Sequence, residues 1–271
     1  MLAAGSGRIK IVKRYEKKYL VPLELLPAIR EYIAPFTGPD KYGEGVLPEY
    51  FITTMQLDTP DLAFHYAKED ELDYRFKLRV RTYGEIGSSP VFAEVKGKLH
   101  GLIVKTRAVI PFDKWSEELV FSTDLPDIFL NHKQENDFLK FRRLVWETAA
   151  QPSNIIRYIR ESYVGTGKHY LRVTMDRQLE YCAKATWAGF GVGESWYSMD
   201  SSIDQARDDS CIVLEIKTLM EVPVWVIDMV EHFDLQQGGN CKYSTGIWKE
   251  ALFSRTAYLR DYMDDFLVWS I

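Results

Sequence analysis

Charged and hydrophobic residues alternate along several segments of this chain. In residues 75–81 every odd position is Arg or Lys, and every even position is apolar. The same period of two recurs in residues 91–98, 102–108, 170–176 and 212–217. Because successive side chains of a strand point to opposite faces, each segment predicts a strand with one ionic and one apolar face. So many cations on one surface repel each other, and a polyanion would offset that repulsion.

Other parts of the chain predict further strands and several helices. Strands are expected at residues 14–21, 50–57 and 155–163. Apolar residues recur at helical spacing between 113 and 150, and shorter helices are predicted at 22–33, 59–68, 201–206 and 247–267. Pro22 fits the preference of proline for a first helical turn. Helices and strands are therefore interspersed.

The two faces of these strands determine the expected architecture. A fully buried apolar side chain contributes roughly 1.5–3 kcal/mol, so the apolar faces should be covered by the helices. The ionic faces then converge inside a closed sheet without exposed edges. We expect an α+β fold, a closed antiparallel β-barrel (a tunnel) with a charged interior and surrounding helices. The alternative is that each ionic face is an ordinary solvated surface with weak ion pairs.

Composition excludes some classes of function. The 271 residues include 34 Lys and Arg against 39 Asp and Glu, with a formal net charge of −5, which argues against a nucleic-acid partner. Three widely spaced cysteines without a C-x-x-C pair favour a reducing compartment. No apolar run of about 18 residues exists, and the first residues do not resemble a secretory signal. We expect a cytoplasmic protein without its own membrane span.

Five places along the chain carry a resemblance to a known family. They are Arg14–Val21, Lys77–Gly84, Val91–Lys98 with Val104–Arg107, Leu171–Asp176, and Leu214–Lys217 with Lys242–Gly246. In this order they resemble the VTC domain, the polyphosphate polymerase branch of the triphosphate tunnel metalloenzymes (CYTH-like superfamily). The resemblance covers about residues 8–246. Residues 1–7 are expected to be a disordered end, and residues 247–271 a C-terminal helix on or near the tunnel.

The resemblance implies a phosphotransferase. A nucleoside triphosphate, with ATP as the expected one, would pass its terminal phosphoryl group to inorganic phosphate or a growing polyphosphate chain. Such transfer needs mainly positioning and charge stabilisation, so the acceptor oxygen is the nucleophile and no Ser, Cys or His need act as one. Because family members often act beside membrane subunits, association with a membrane through a separate partner subunit is also expected.

Cations and carboxylates of the matching segments are the candidate site residues. Arginine binds phosphate through a bidentate fork, and lysine supplies a compact charge. The residues expected to grip the triphosphate during catalysis are Arg79, Arg81, Lys96, Lys105 and Arg172. Further substrate contacts are expected from Lys18, Lys77, Lys98, Arg107, Arg160, Lys217 and Lys242. A Mg²⁺ or Mn²⁺ ion suits carboxylate and phosphate oxygens, and its expected ligands are Glu215, Glu94 and Glu16.

One departure from the family pattern bears on the reaction. Hydrolytic members begin with Glu-x-Glu-x-Lys, whereas Arg14, Glu16 and Lys18 stand at those places here. One carboxylate fewer weakens the case for a metal-bound water as nucleophile, which favours a transferase. A metal-dependent tripolyphosphatase or nucleoside triphosphatase, and a non-catalytic polyphosphate-binding module, are the alternatives.

Overall fold

Ten strands form one antiparallel sheet in the computed structural model, which describes residues 14–43, 46–100, 102–201, 211–219, 221–238 and 241–253. They are β1 (Arg14–Pro22), β2 (Thr37–Pro39), β3 (Glu49–Asp58), β4 (Tyr74–Tyr83), β5 (Val91–Leu99), β6 (Leu102–Ile110), β7 (Gln151–Gly165), β8 (Leu171–Cys182), β9 (Tyr197–Ser198) and β10 (Cys211–Leu219). The order across the sheet is β1, β10, β8, β7, β3, β4, β5, β6. The short strands β2 and β9 pair with β7 and β8.

Helices cover the apolar faces of these strands. They are α1 (Leu26–Ile33), α2 (Ala63–Glu69), α3 (Glu117–Phe121), α4 (His132–Thr148), α5 (Val224–His232) and α6 (Lys242–Phe253). Ile29 of α1 and Met229 of α5 are buried in one cluster with Val173 of β8. Phe138 and Phe141 of α4 are buried in a second cluster with β4, β5 and β6. The helical covering predicted from the sequence is therefore present.

The sheet is not closed into a barrel, so the predicted closed tunnel was wrong. Within the described residues, β1 and β6 are the two ends of the strand order, and no ladder joins them. The free edge of β1 is occupied by the chain that follows α5. Tyr19 forms a bridge with Gln237, and the amide of Gly238 donates to the carbonyl of Lys18 at 3.0 Å. An edge that already bonds another segment is protected without closure.

The open sheet is nevertheless strongly curled. β1 and β5 are six places apart in the strand order, which in a flat sheet would separate them by about 29 Å. The charge of Glu16 on β1 nevertheless acts on the pKa of Lys96 on β5. These side chains are therefore much closer than a flat sheet allows, and the side of the sheet that carries them is concave.

Most predicted strands and helices are confirmed, with shifted ends. The last helix begins at Lys242 rather than at residue 247, and β2 and β9 are too short to show an alternation. Residues 1–7, residues 254–271 of the predicted C-terminal segment, and all but Ser201 of the predicted helix 201–206 lie outside the described residues. None of the described helices is both long enough and apolar enough to cross a membrane.

Candidate functional site

Charged residues of seven strands share the concave side of the sheet, which we call the polar face. The ladders fix this arrangement, because Glu94 is paired with Arg79 on one side and Arg107 on the other, while Lys18 is paired with Glu215. Its charged members include Glu16, Lys18, Arg75, Lys77, Arg79, Arg81, Glu94, Lys96, Lys98, Lys105, Arg107, Arg160, Arg172, Asp176, Glu215 and Lys217. Every predicted site residue belongs to this set except Lys242, which begins α6.

Glu94 is enclosed by cations at the β4–β6 end of the polar face. None of its surface is exposed. Its Oε2 accepts a hydrogen bond from Nε of Arg79 at 2.5 Å, and its Oε1 accepts one from Nε of Arg107 at 2.6 Å. Nζ of Lys105 lies 2.8 Å from Oε1. Burial by itself would raise the pKa of Glu94, but these cations and Arg81 hold it well below its usual range. Glu94 is therefore ionised.

The cations around Glu94 are themselves held in place by their surroundings. Arg107 donates to the phenol oxygen of Tyr83 at 3.0 Å and lies over the ring of Phe92, 4.7 Å from its centroid. Burial lowers the pKa of Lys105 to about 8, although Glu94 opposes the shift. The terminal nitrogens of Arg79 donate no hydrogen bond to any described residue. These nitrogens are therefore available to phosphate oxygens.

Arg81 and Arg172 lie on the polar face with partners that fix their direction. Nε of Arg81 donates to Oγ1 of Thr54 at 3.0 Å. Arg172 donates to the hydroxyls of Ser162 and Tyr50 at 3.1 and 3.0 Å, and it forms an ion pair with Asp40 at 2.7 Å. Neutral hydroxyl partners orient a guanidinium without cancelling its charge. Among the described residues Arg81 therefore forms no direct ion pair, although its charge also acts on Glu94.

Asp176 links the sheet to α6. Arg160 donates through Nε and Nη2 to both carboxylate oxygens, each at 2.7 Å, and Nζ of Lys242 lies 2.8 Å from Oδ2. Arg160 and Lys242 also lie over the ring of Tyr158, at 5.5 and 4.8 Å from its centroid. Burial would raise the pKa of Asp176, but the two cations lower it to about 2. The start of α6 is thereby fixed against the polar face.

Glu16 and Glu215 face each other at the β1–β10 end. Burial, together with the hydrogen bond and charge of Glu215, raises the pKa of Glu16. Burial would also raise the pKa of Glu215, but the hydrogen bond from Glu16 and the charges of Lys217 and Lys18 hold it far below its usual range. Nζ of Lys217 lies 3.2 Å from Glu215 and 3.7 Å from Glu16. Of the two carboxyl groups, Glu16 is therefore the more readily protonated.

This carboxylate pair has the chemistry that a hard divalent cation requires. A Mg²⁺ ion is commonly held by one or two carboxylates together with substrate phosphates. Among the described residues, no group of three or more His, Cys, Asp or Glu is arranged to hold a metal ion. Glu16 and Glu215 would therefore need phosphate or water oxygens to complete a site. Glu94 does not join them, because both of its oxygens contact cations.

The remaining predicted lysines occupy different parts of the polar face. Nζ of Lys77 donates to Sγ of Cys241 at 3.0 Å, and this lysine lowers the pKa of the thiol to about 7 against the effect of burial. Lys96 is half-buried, and burial lowers its pKa. Lys98 is paired with Arg75 near the end of β5. The lysines therefore line a path along β4 and β5.

Several polar partners in this site were not predicted from the sequence. Asp176 lies in a matching segment at the position where the alternation requires a polar-face residue, so its spacing from Arg172 was a usable signal. Asp40 comes from a loop, and Tyr158 and Cys241 have no distinguishing pattern around them. Their part in the site depends on tertiary contacts that no local periodicity reports.

Comparisons with known proteins give one strong match. The family model described as the VTC domain matches residues 13–250. No curated protein matches the chain. Among solved structures, the PH1819 protein of Pyrococcus horikoshii OT3 is similar with a TM-score of 0.42, 12% identity, and coverage of 87% of this chain and 96% of that one. The Mimivirus capping enzyme triphosphatase is similar with a TM-score of 0.31, 8% identity, and coverage of 81% and 88%.

Proposed function

We propose that this chain, which belongs to the VTC domain family, is a polyphosphate polymerase. It would transfer the terminal phosphoryl group of ATP to inorganic phosphate or to the end of a polyphosphate chain. The observation that carries this proposal is the gathering of cations from seven strands on one concave face of a protein whose net charge is −5. The triphosphate and the polymer are the polyanions that such a surface would bind.

Different residues of the polar face would have different roles in phosphoryl transfer. Arg79 and Arg81 would contact the non-bridging oxygens of the transferred group through forks that are already oriented by Glu94 and Thr54. Lys96 and Lys105 would add compact charges beside them, and Arg172 would bind phosphates further along the chain. Because these groups are fixed before substrate arrives, little reorganisation is needed as charge develops in the transition state.

Glu16 and Glu215 are the residues that would hold a Mg²⁺ or Mn²⁺ ion. When bound, such an ion neutralises charge on phosphate oxygens and helps to orient the two reacting groups. Lys217, within 4 Å of both carboxylates, would contact the same phosphates. The acceptor is a phosphate oxygen, so the chain supplies no covalent nucleophile, and its cations serve to bring donor and acceptor into line.

A metal-dependent tripolyphosphatase is the second candidate, and the open sheet favours it. Because no ladder joins β1 to β6 among the described residues, the strands alone do not seal the polar face from water. Water could then replace phosphate as the acceptor. A binding module without turnover is the third possibility, since the described residues supply only two clustered carboxylates for a metal ion. A cytoplasmic location and a separate membrane partner subunit stay predictions of the family resemblance.

Product analysis tests the proposal directly. The purified chain is incubated with ATP and Mn²⁺, and the products are followed by polyphosphate gel electrophoresis and ³¹P NMR. Chains longer than the substrate, formed together with ADP, support the polymerase. Orthophosphate as the sole new product supports the hydrolase, and polyphosphate binding without turnover supports the binding module.

A matched pair of variants ties the activity to the polar face. Arg79→Ala removes a proposed phosphate contact and should abolish turnover. Arg75→Ala removes a cation from the same strand and side, whose guanidinium donates to the carbonyl of Leu72 at the strand end, and it should leave turnover near the wild-type rate. Full activity in Arg79→Ala would contradict the assignment of the site.

A further inference from the structure

We infer that Glu94 is a positioning residue of the proposed triphosphate site, which orients Arg79, Lys105 and Arg107 toward the phosphates and binds no metal ion. The inference rests on the proposed function and deepens it. It replaces the expectation from the sequence, in which Glu94 was one of three carboxylates expected to bind a divalent metal ion.

The contacts of Glu94 leave no room for a metal ion. An ionised carboxylate offers about four lone-pair sites. Oε1 contacts Nζ of Lys105 and both Nε and Nη2 of Arg107, while Oε2 contacts Nε of Arg79. The carboxylate is completely buried, so none of these cations is replaced by water. A divalent ion at Glu94 would have to displace three positive charges that already compensate it.

The same contacts leave the terminal nitrogens of Arg79 available. Glu94 takes Nε of Arg79 and of Arg107, which are the nitrogens nearest the chain. The terminal nitrogens of Arg79 donate to no described residue. A guanidinium held through Nε keeps a pair of parallel N–H groups that match two phosphate oxygens. Glu94 thus fixes the direction of the Arg79 fork without occupying it, whereas it holds Arg107 through both Nε and Nη2.

Charge repulsion explains why the three cations need this carboxylate. They come from β4 and β6, on both sides of Glu94 in the ladder, and converge on one point. Without a negative charge at that point they would turn apart, and phosphate would have to bring them together again. The lost preorganisation weakens binding of the triphosphate itself, whether or not a metal ion is present.

The test measures tripolyphosphate binding by calorimetry in EDTA, where a metal ligand makes no contribution. Glu94→Gln should weaken binding by between about tenfold and a hundredfold, and Glu94→Asp should recover part of the loss because it restores the charge. In steady-state kinetics with ATP and Mn²⁺, KM should rise more than kcat falls. Wild-type affinity in Glu94→Gln would overturn the inference.

A double-mutant cycle separates positioning from a structural role. Lys105→Met should weaken tripolyphosphate binding more in the wild-type background than in Glu94→Gln, because Lys105 is no longer oriented once Glu94 is neutral. Equal losses in both backgrounds would overturn the inference. If Glu94→Gln does not fold alone, it is replaced in this comparison. The double variant Glu94→Gln/Lys105→Met, which loses one cation together with the carboxylate, is then compared with Lys105→Met.

The binding readout also separates this inference from the proposed function. Wild-type protein that binds tripolyphosphate in EDTA but forms no product would refute the polymerase and leave the role of Glu94 standing. Wild-type protein that does not bind tripolyphosphate would refute both. Thermal melting of each variant without ligand accompanies the titrations, so that a loss of folded protein is not taken for a loss of affinity.

Discussion

Glu94 and Glu215 lie on the same face of the same sheet but in opposite electrostatic surroundings. Glu94 is a single carboxylate among three cations, all within 3 Å. Glu215 faces a second carboxylate, Glu16, and its nearest cation is Lys217 at 3.2 Å. The first centre has a surplus of positive charge, whereas the second brings two acidic groups together. The first is suited to bind an anion and the second to bind a cation.

This difference comes from neighbouring strands rather than from the residues themselves. Glu94 and Lys96 on β5 have the same Glu-x-Lys spacing as Glu215 and Lys217 on β10. β5 lies between two strands that present Arg and Lys, whereas β10 lies beside β1, which presents Glu16 opposite Lys217. One local pattern thus produces two chemically distinct centres.

The largest effect on stability is expected from a substitution at Asp176. Asp176→Asn leaves Arg160 and Lys242 without the buried charge that pairs with both, and should lower the free energy of unfolding by about 3 kcal/mol. Chemical denaturation at pH 7 measures this loss. The folded pKa of Asp176, about 2, lies below its ordinary value, so the stabilisation is present above about pH 4 and is lost as the pH falls through 2.

The acid limb of the same experiment provides a control. Wild type and Asp176→Asn should converge in stability as the pH falls below 2, where Asp176 becomes protonated in both the folded and the unfolded chain. A constant difference down to pH 2 would mean that the variant acts through packing and not through the ion pairs.

The second-largest effect is expected from substitutions in the carboxylate pair of Glu16 and Glu215. Glu215→Gln should lower kcat by about a hundredfold, because it removes the ionised member of the pair that would hold the metal ion. Glu16→Gln is the matched control and should cost about tenfold or less, since Glu16 is the more readily protonated member of the pair. Tripolyphosphate binding in EDTA should not weaken in either variant. If either variant lost as much tripolyphosphate affinity as Arg79→Ala, the proposed difference between the Glu94 and Glu215 centres would be wrong.

The smallest effect concerns the pH dependence of the Glu94 centre. The pKa of Lys105 is lowered to about 8, so this lysine loses its charge as the pH rises above 8, whereas an ordinary lysine keeps it to about pH 10. Affinity for tripolyphosphate should fall severalfold between pH 7 and pH 9.5, and Lys105→Met should flatten the profile.

This titration needs a background without the nearby thiol. Cys241, with a pKa of about 7, places a negative charge beside Lys77 in the same range, so both profiles are recorded in Cys241→Ser. An equally steep fall in the Lys105→Met variant would assign the pH dependence to another group.

The sequence predicted the strands and the composition of the polar face because both follow from a local period of two. Whether the sheet closes into a barrel could not be predicted from this alternation. Whether β1 pairs with β6 depends on how far the sheet curls and on the segment that bonds to Tyr19 and Lys18 along the β1 edge, and neither is encoded in the alternation. The expected barrel was therefore wrong, although most of its strands and helices are present in the described residues and its charged side chains share one face.

Prediction of the site from the sequence was limited in the same way. Arg79, Lys105 and Arg107 could be placed on one face by counting in twos, but their convergence on Glu94 depends on ladder register between three strands. Asp40 and the start of α6 reach the polar face from outside the sheet. Sequence periodicity indicates which residues share a face and does not indicate which of them touch.

Manganese binding followed by electron paramagnetic resonance tests the division between the two centres most directly. The signal of free Mn²⁺ is titrated with wild type, Glu94→Gln and Glu215→Gln in the presence of tripolyphosphate at a concentration that saturates all three. The account predicts that Glu94→Gln binds Mn²⁺ as tightly as wild type, while Glu215→Gln binds it at least tenfold more weakly. Weakened Mn²⁺ binding in Glu94→Gln with wild-type binding in Glu215→Gln would contradict it.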